Sequence, residues 1–273
     1  MIRNIGLSLS SAALIAVVVG SVWLAMKSPM HDRLWKTEYA QLPRVELDGD
    51  VATVRNVRNF SYDADGGVRV ARYEDRSYDL ASLTGVWYGI SHFYDYGLAH
   101  TFLSFAFADG QYMVISVEAR QEVGESYHPV TGLLRNYELI YVVGDERDIV
   151  GLRTHIRKER VYLYELRRPL ATARRVLGEL IERINQIHDA PEFYNTITDN
   201  CTTSLFRHAE RVSTFDMYTD YRIILPGYSD ALGYELGVIA TDAPLDEVRA
   251  RARIEPAGFG LDDPAFSAKI RKL

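Results

Sequence analysis

The sequence contains a single cysteine, Cys201, among its 273 residues. One cysteine excludes an intramolecular disulfide bond and any metal cluster held by several thiolates. The chain also has no excess of positive charge, because its 37 acidic side chains outnumber its 31 Lys and Arg and give a net charge of −6. Proteins that bind nucleic acid over a large surface carry an excess of basic residues, so we expect no nucleic-acid partner. Walker loops, Gly-rich dinucleotide loops, G-x-S-x-G and H-E-x-x-H are absent, and we expect neither a metal nor a cofactor.

Charged residues are missing from one long stretch at the start of the chain, the 22 residues from Ile5 to Met26. At about 1.5 Å per residue, a helix of this length spans a bilayer. A cleaved signal peptide is the alternative, but its apolar core is normally shorter, and Val22-Trp23-Leu24-Ala25 is a poor cleavage site. We therefore predict a membrane anchor over residues 1–26, a tether over 27–44, and one exported domain over 45–273.

The pattern of turns and apolar residues predicts an α+β domain, and the 47% hydrophobic content is typical of a packed globular protein. Short runs rich in Val and Tyr, broken by Asp-Gly turns, predict strands over residues 44–79. The aromatic stretch Leu80–Tyr96 is interpreted as one or two helical turns. Later elements follow from apolar spacing and capping residues: strands at Tyr137–Val143 and Val161–Leu166, and helices at Pro169–His188, Leu205–Val212 and Leu245–Ala252.

A β-hairpin is predicted from Ala99–Phe107 and Gln111–Arg120. Both strands bury odd-numbered residues only if the loop has three residues, which we place at Asp109-Gly110-Gln111. This register sets Phe102 opposite Glu118 and makes His100 and Glu118 diagonal neighbours on the polar face.

Cys201 is the first candidate for chemistry, because Asp199 or Asn200 is expected to cap a helix that begins there. A helix N-terminus favours a thiolate and offers N–H groups to an oxyanion. His100 is the best placed of the seven histidines to act as its base, since it lies on a polar strand face shared with a carboxylate. Either Glu118 or Ser116 would orient the imidazole. The alternatives are an inert buried cysteine, a core histidine, and a Glu118 ion pair with Arg120 or Arg58.

Several stretches resemble the Lnb N-terminal periplasmic domain family, in the same order along the chain. They are Val57–Tyr62, Ala99–Phe105, Ser116–Arg120, Tyr137–Val142, Asp145–Asp148 and Asn200–Thr203. The order of His100, a polar residue on the next strand and Asn200-Cys201 is also similar to permuted papain-like thiol enzymes of the NlpC type. The resemblance implies a papain-like antiparallel sheet packed against helices, with Cys201 as nucleophile, His100 as base, and Glu118 or Ser116 as orienting residue. We also expect Asn200, Arg58 and Arg120, which lie in the matching stretches, to bind substrate.

The resemblance implies a thiol acyltransferase, anchored in the inner membrane by one helix, with its catalytic domain in the periplasm. Its partners would be the membrane, phospholipid and a lipoprotein substrate. Leu83–Tyr96 is a candidate wall of an acyl groove, and the basic stretch Arg153–Arg175 is a candidate lipid-facing surface; core packing and a solvated face are the respective alternatives. Two other functions stay open: a cysteine peptidase or amidase acting on peptidoglycan peptides, and a non-catalytic envelope protein. An apolar groove would favour acyl transfer, and a charged cleft would favour the peptidase.

Overall fold

The strands predicted in the exported domain pair into a central sheet in a computed structural model of the chain. The structure describes residues 14–15, 17–95, 97–167, 169–212 and 220–272. The strands are β1 Arg44–Asp48, β2 Val51–Arg58, β3 Ser61–Tyr62, β4 Val68–Val70, β5 Tyr73–Asp79, β6 Leu83–His92, β7 Ala99–Phe107, β8 Tyr112–Arg120, β9 Glu138–Gly144 and β10 Arg160–Glu165. The α-helices of the domain are α1 Pro129–Gly132, α2 Glu146–Gly151, α3 Leu170–Asp189, α4 Cys201–Arg211, α5 Tyr221–Ile224, α6 Ser229–Glu235, α7 Leu245–Ala252 and α8 Phe266–Lys269.

Among the described residues, the main sheet has the strand order β1-β2-β9-β8-β7-β6-β10, and β5 pairs with β2 beside this path. The sheet is mixed, because β2 runs parallel to β9 at Arg58 and Gly144 while its other pairs are antiparallel. The expected purely antiparallel sheet is therefore corrected at this one pair. The chain can return to β9 in the parallel sense because a long connection separates the two strands.

Helices and loops cover both faces of the sheet, which explains the nearly continuous apolar sequences of β7 and β9. Odd-numbered side chains such as Phe105 and Ile115 enter a core shared with α3 and α4. Even-numbered ones such as Phe102 and Val114 enter a second core, closed by α2 and the C-terminal segment around Phe266. The sheet thus separates two helical layers, and α4, which begins at Cys201, packs on the first face.

The predicted β-hairpin is present, with a three-residue loop and the predicted division of faces. Its loop lies one residue earlier, at 108–110, because the Phe107 N–H donates to the Gln111 carbonyl. The register consequently pairs Phe102 with Ser116 instead of Glu118. If the same register is continued by two residues beyond this pair, His100 lies opposite Glu118, and Ser116 becomes the diagonal neighbour of His100. The shift by two residues preserves the faces because side chains alternate with a period of two.

The helical turns expected within Leu80–Tyr96 are largely wrong: only Leu80–Ser82 forms a short 3₁₀ turn, and strand β6 follows it. The stretch is an interior strand because it pairs with β7 on one side and β10 on the other. Gly89 permits this packing, since a Cβ at that position would lie 2.1 Å from the Phe102 ring. Tyr96 lies outside the described residues.

The segment predicted as a tether packs along the body. Trp35 is buried, the Lys36 N–H donates to the Gln121 carbonyl, and Arg33 forms ion pairs with Glu122 and Glu138. The segment from residue 27 to 43 therefore forms a strap over the end of β8, and it carries Tyr39 to the polar face of the hairpin.

Part of the predicted membrane anchor, residues 1–13 and 16, lies outside the described residues. Residues 17–26 are helical, and most of their apolar side chains are exposed. Within the described part of the chain, no helix has both the length and the hydropathy to cross a membrane.

Candidate functional site

Cys201 is the first residue of α4, as the capping pattern predicts. The Asn200 side-chain oxygen accepts hydrogen bonds from the N–H groups of Thr202 and Thr203, each 2.8 Å long. The Thr203 hydroxyl in turn accepts the Asn200 N–H at 2.9 Å and completes a capping box. This cap fixes the start of the helix and hence the position of the thiol, which is buried at 6% exposure.

His100 lies near the start of β7 and belongs to a hydrogen-bonded relay across the hairpin. Its Nε2 lies 2.7 Å from the Ser116 hydroxyl, which donates to Glu118 Oε1 at 2.8 Å. A serine hydroxyl has one proton, so a Ser116 that donates to Glu118 accepts from His100. The relay therefore places the imidazole proton on Nε2 and leaves the lone pair on Nδ1.

Both orienting candidates thus act together, with Ser116 inserted between His100 and Glu118. The direct distance from His100 Nε2 to Glu118 Oε1 is 3.8 Å, too long for a hydrogen bond. The carboxylate is fixed by two further groups: Arg153 Nη2 at 3.2 Å from Oε1, and the Tyr39 hydroxyl at 3.0 Å from Oε2. Its ion-pair partner is therefore Arg153, and neither Arg120 nor Arg58 takes that place.

Strand β7 and helix α4 meet at the residues that follow His100 and Cys201. The hydroxyls of Thr101 and Thr202 lie 3.0 Å apart, and the Thr202 hydroxyl lies 3.7 Å from Cys201 Sγ. His100, Glu118 and Cys201 all line one pocket of about 380 Å³. The fold thus brings together residues that are 101 positions apart in sequence.

Burial controls the protonation of both candidate groups. It lowers the pKa of His100 from 6.5 to about 3, with Arg153 acting in the same direction and Glu118 against it. It also raises the pKa of the Cys201 thiol, although a hydrogen bond from the Thr101 backbone N–H opposes this effect. Burial disfavours the charged form of Glu118 too, but the charges of Arg153 and Arg58, the imidazole of His100 and the Ser116 hydrogen bond together outweigh it and hold the pKa of that carboxyl well below its usual range. At neutral pH the pocket therefore contains a neutral thiol and a neutral imidazole.

The remaining wall of this pocket, which we call the site pocket, combines aromatic and charged side chains. Beyond the residues already described, it includes Phe93, Tyr94, Tyr127, Arg157, Glu159 and Tyr194. The end of the stretch Leu83–Tyr96 therefore reaches the site, as Phe93 and Tyr94. A volume of about 380 Å³ lies within the usual range of small-ligand pockets.

A second cavity, of about 100 Å³, lies between α3, α4 and the sheet. Its walls are almost entirely apolar and include Val86, Leu103 and Leu205. Cys201 does not line it, so its apolar character says nothing directly about the reacting atoms. Within the described residues, no group of three or more His, Cys, Asp or Glu side chains is arranged to hold a metal ion.

The three predicted substrate-binding residues lie outside the lining of the site pocket. Arg58 is buried and forms two 2.9 Å hydrogen bonds to Asp148. Arg120 is buried under the strap, where it donates to the carbonyls of Tyr39 and Ala40. Asn200 serves as the cap of α4. The contacts of these side chains position β2, the strap and α4, respectively.

Two residues that bind Glu118 escape the sequence analysis, Tyr39 and Arg153. Tyr39 lies in the predicted tether, where nothing in the sequence connects it with Glu118. Arg153 begins the basic stretch that we assigned to a lipid-facing or solvated surface, yet its side chain is only 5% exposed. The sequence did contain one signal for Arg153, because this residue follows the apolar residues Ile149, Val150 and Leu152. A charged side chain in such an apolar run needs a buried partner. Arg168 of the same stretch lies outside the described residues.

Comparison with known proteins supports the family that the sequence motifs indicate. A model of the Lnb N-terminal periplasmic domain matches residues 69–227, more than half of the chain. The match covers His100, Ser116, Glu118, Arg153 and Cys201 and begins after the strap. No curated protein and no solved structure matches the chain significantly. The chain therefore belongs to the Lnb N-terminal periplasmic domain family and is a periplasmic protein of the cell envelope.

Proposed function

We propose that the protein is a membrane-anchored cysteine acyltransferase that forms an acyl thioester at Cys201 and acts on phospholipid or lipoprotein acyl chains. The observation that carries the proposal is the relay from Glu118 through Ser116 to His100 in the same pocket as Cys201. Thiol catalysis needs a histidine whose ring is fixed through one nitrogen, here Nε2, in the same pocket as a cysteine at a helix N-terminus. The papain-like relationship and the inner-membrane anchor are parts of this proposal.

In the first half-reaction, His100 Nδ1 accepts the thiol proton of Cys201 as the sulfur attacks the carbonyl carbon of an acyl ester. Neutral partners suit this step, because the base must hold a free lone pair before the attack. The Cys201 N–H is the first-turn donor that the Asn200 cap does not use, and it would stabilise the oxyanion. The tetrahedral intermediate then expels the alkoxide, which takes the proton from His100 and leaves the acyl group on sulfur.

In the second half-reaction, an amine attacks the thioester carbonyl and His100 removes its proton. Collapse of this intermediate forms an amide and releases the Cys201 thiolate, which takes the proton back from His100. Glu118 stays ionised throughout and stabilises the transient imidazolium through Ser116. Arg153 keeps that carboxylate from becoming a base itself, since it lowers the pKa of Glu118.

A cysteine peptidase or amidase acting on peptidoglycan peptides is the second candidate. The charges in the site pocket favour it, because Arg157 and Glu159 could pair with the charged groups of a peptide. The aromatic wall formed by Phe93, Tyr94 and Tyr127 favours an acyl chain instead. Both reactions pass through a thioester at Cys201, and the two functions differ in the acyl donor, hence in the acyl group on sulfur, and in the acceptor.

Intact-mass spectrometry of the full chain after incubation with phospholipid tests the proposal. The wild type should gain the mass of one fatty acyl group that hydroxylamine releases, and Cys201→Ser should gain no hydroxylamine-labile group. Thr203→Ser, which keeps a capping hydroxyl on the same helix, is the matched control and should be acylated like the wild type. An unmodified Cys201 together with cleaved peptidoglycan fragments would support the peptidase. Absence of both reactions would favour a non-catalytic envelope protein.

A further inference from the structure

Apolar side chains that face solvent cluster where the N-terminal helical segment meets the domain. The end of that segment is fixed to one place on the body: Lys27 Nζ donates to the Leu134 carbonyl at 3.0 Å and to Asn136 Oδ1 at 2.8 Å. The Arg135 side chain also donates a hydrogen bond of 3.1 Å to the Leu24 carbonyl. The exposed apolar helix over residues 17–26 thus emerges beside residues 133–136.

Exposed apolar side chains lie on the two segments that meet here, the strap and the connection between β8 and β9, and we call them the collar. The collar consists of Leu34, Val123, Val130, Leu133 and Leu134. Leu34 is 73% exposed and Val123 is 59% exposed, and a hydrogen bond of 2.8 Å from the Val123 N–H to the Leu34 carbonyl joins them. Soluble surfaces rarely gather such side chains around one point without a partner.

We propose that the collar rests in the surface of the lipid bilayer and holds the domain against it. This inference rests on the membrane anchoring included in the proposed function. The helix that ends at the collar is itself apolar and exposed, so whatever surrounds that helix continues onto the collar. Trp23 and Lys27, whose ammonium lies 4.0 Å from the Trp23 ring centroid, are residue types that occupy the interface between lipid and water.

The charges around the collar indicate that its binding is apolar rather than electrostatic. Three cations and three carboxylates lie there, so their charges nearly cancel: Lys27, Arg33 and Arg135 against Glu122, Glu125 and Glu138. We therefore expect the collar to bind neutral and anionic lipid surfaces about equally. Known interfacial segments of this kind insert their apolar side chains about 5–10 Å into the headgroup region.

The collar also relates the site to the membrane. The stretch of chain between β8 and β9 lines the site pocket with Gln121 and Tyr127 and then continues into Val130, Leu133 and Leu134. A collar resting on lipid would hold this wall of the pocket next to the bilayer surface. An acyl ester of a membrane lipid would then reach Cys201 without leaving the membrane environment over a long distance.

Site-directed fluorescence on the full chain tests the inference. In a Cys201→Ser background, Val130→Cys carries an environment-sensitive fluorophore, and Leu47→Cys, an exposed apolar position on β1, serves as the matched control. The chain is reconstituted into vesicles of phosphatidylethanolamine and phosphatidylglycerol. We expect a nitroxide on the lipid chains to quench the collar label several-fold more strongly than the control label, and aqueous iodide to do the reverse. Leu133→Glu combined with Leu134→Glu should reduce the lipid quenching at Val130→Cys.

Three results would overturn the inference. Equal quenching of both labels by iodide in vesicle-bound protein would show a collar in water, with another protein or a second copy as the remaining occupant. Loss of lipid quenching when phosphatidylglycerol is replaced by phosphatidylcholine would show electrostatic binding instead. Failure of the chain to float with the vesicles would refute the anchor and the collar together. Acylation is measured separately on the wild type, so a collar quenched by lipid beside an unmodified Cys201 would refute only the acyltransferase.

Discussion

Two buried histidines should make the folded protein sensitive to mild acid. His100 lies in the site pocket, and His208 lies on α4 with its Nε2 bonded to the Tyr141 hydroxyl at 3.0 Å. Burial lowers the pKa of each imidazole from 6.5 to about 3, and nearby arginines add to the effect. The Nδ1 atom of His208 is buried without a hydrogen-bond partner, so a proton there would be left uncompensated.

The size of the effect follows from proton linkage. Because each pKa is lower in the folded protein than in the unfolded chain, the unfolded chain binds the proton first, and stability falls as the pH drops below 6.5. Between pH 8 and pH 5, the free energy of unfolding should fall by about 2 kcal/mol for each histidine. Most carboxyl groups of this protein with a shifted pKa titrate below that window.

Urea unfolding of the wild type and of His208→Phe at several pH values isolates one histidine. The variant loses the hydrogen bond to Tyr141 at every pH, but its stability should fall by about 2 kcal/mol less than that of the wild type between pH 8 and pH 5. Leu205→Ala on the same helix is the control, because it lowers stability by about 2–5 kcal/mol without removing an imidazole. Parallel pH profiles for the wild type and His208→Phe would refute the reasoning.

Three other substitutions test the supports of the site. Glu118→Gln removes the partner of the buried Arg153 and should cost about 3–5 kcal/mol by urea unfolding, and adding Arg153→Met should recover part of it; a loss below 1 kcal/mol would contradict a buried ion pair. Gly89→Ala places a methyl group 2.1 Å from the Phe102 ring and should lower the melting temperature, with partial recovery by Phe102→Leu; an unchanged melting temperature would contradict the close packing. Asn200→Ala removes the cap of α4 and should cost about 1–2 kcal/mol, whereas Asn200→Asp should cost less; equal losses would argue against capping.

Sequence patterns predicted a helix or strand well where the pattern depends only on the residues within that element. Helix α3 begins one residue after the predicted Pro169, and α4 begins at Cys201 behind its Asn200 cap. The alternating faces of the hairpin were also predicted correctly, because alternation depends only on which residues are apolar. These features follow from local dihedral preferences and from the burial of apolar side chains.

The exact hairpin register and the nature of β6 depended on distant contacts. The loop position decides whether Phe102 faces Ser116 or Glu118, and turn residues such as Asp109 and Gly110 are compatible with both positions. The two glycines of β6 disfavour helix and strand alike, so they indicate neither structure. Pairing with β7 and β10 on its two sides made it a strand.

The sequence by itself determined the chemistry available to this protein: one thiol at a helix N-terminus, and one histidine that shares a strand face with a serine and a carboxylate. Tertiary structure alone decided how those groups are arranged and charged. Packing of α4 against β7 brought Cys201 into the pocket of His100, and burial beside Arg153 made the imidazole neutral and kept Glu118 ionised. The strap added Tyr39 from outside the matched domain. These contacts join residues far apart in the chain, and a pKa depends on the charges and solvent around a group, which the sequence of its neighbours does not reveal.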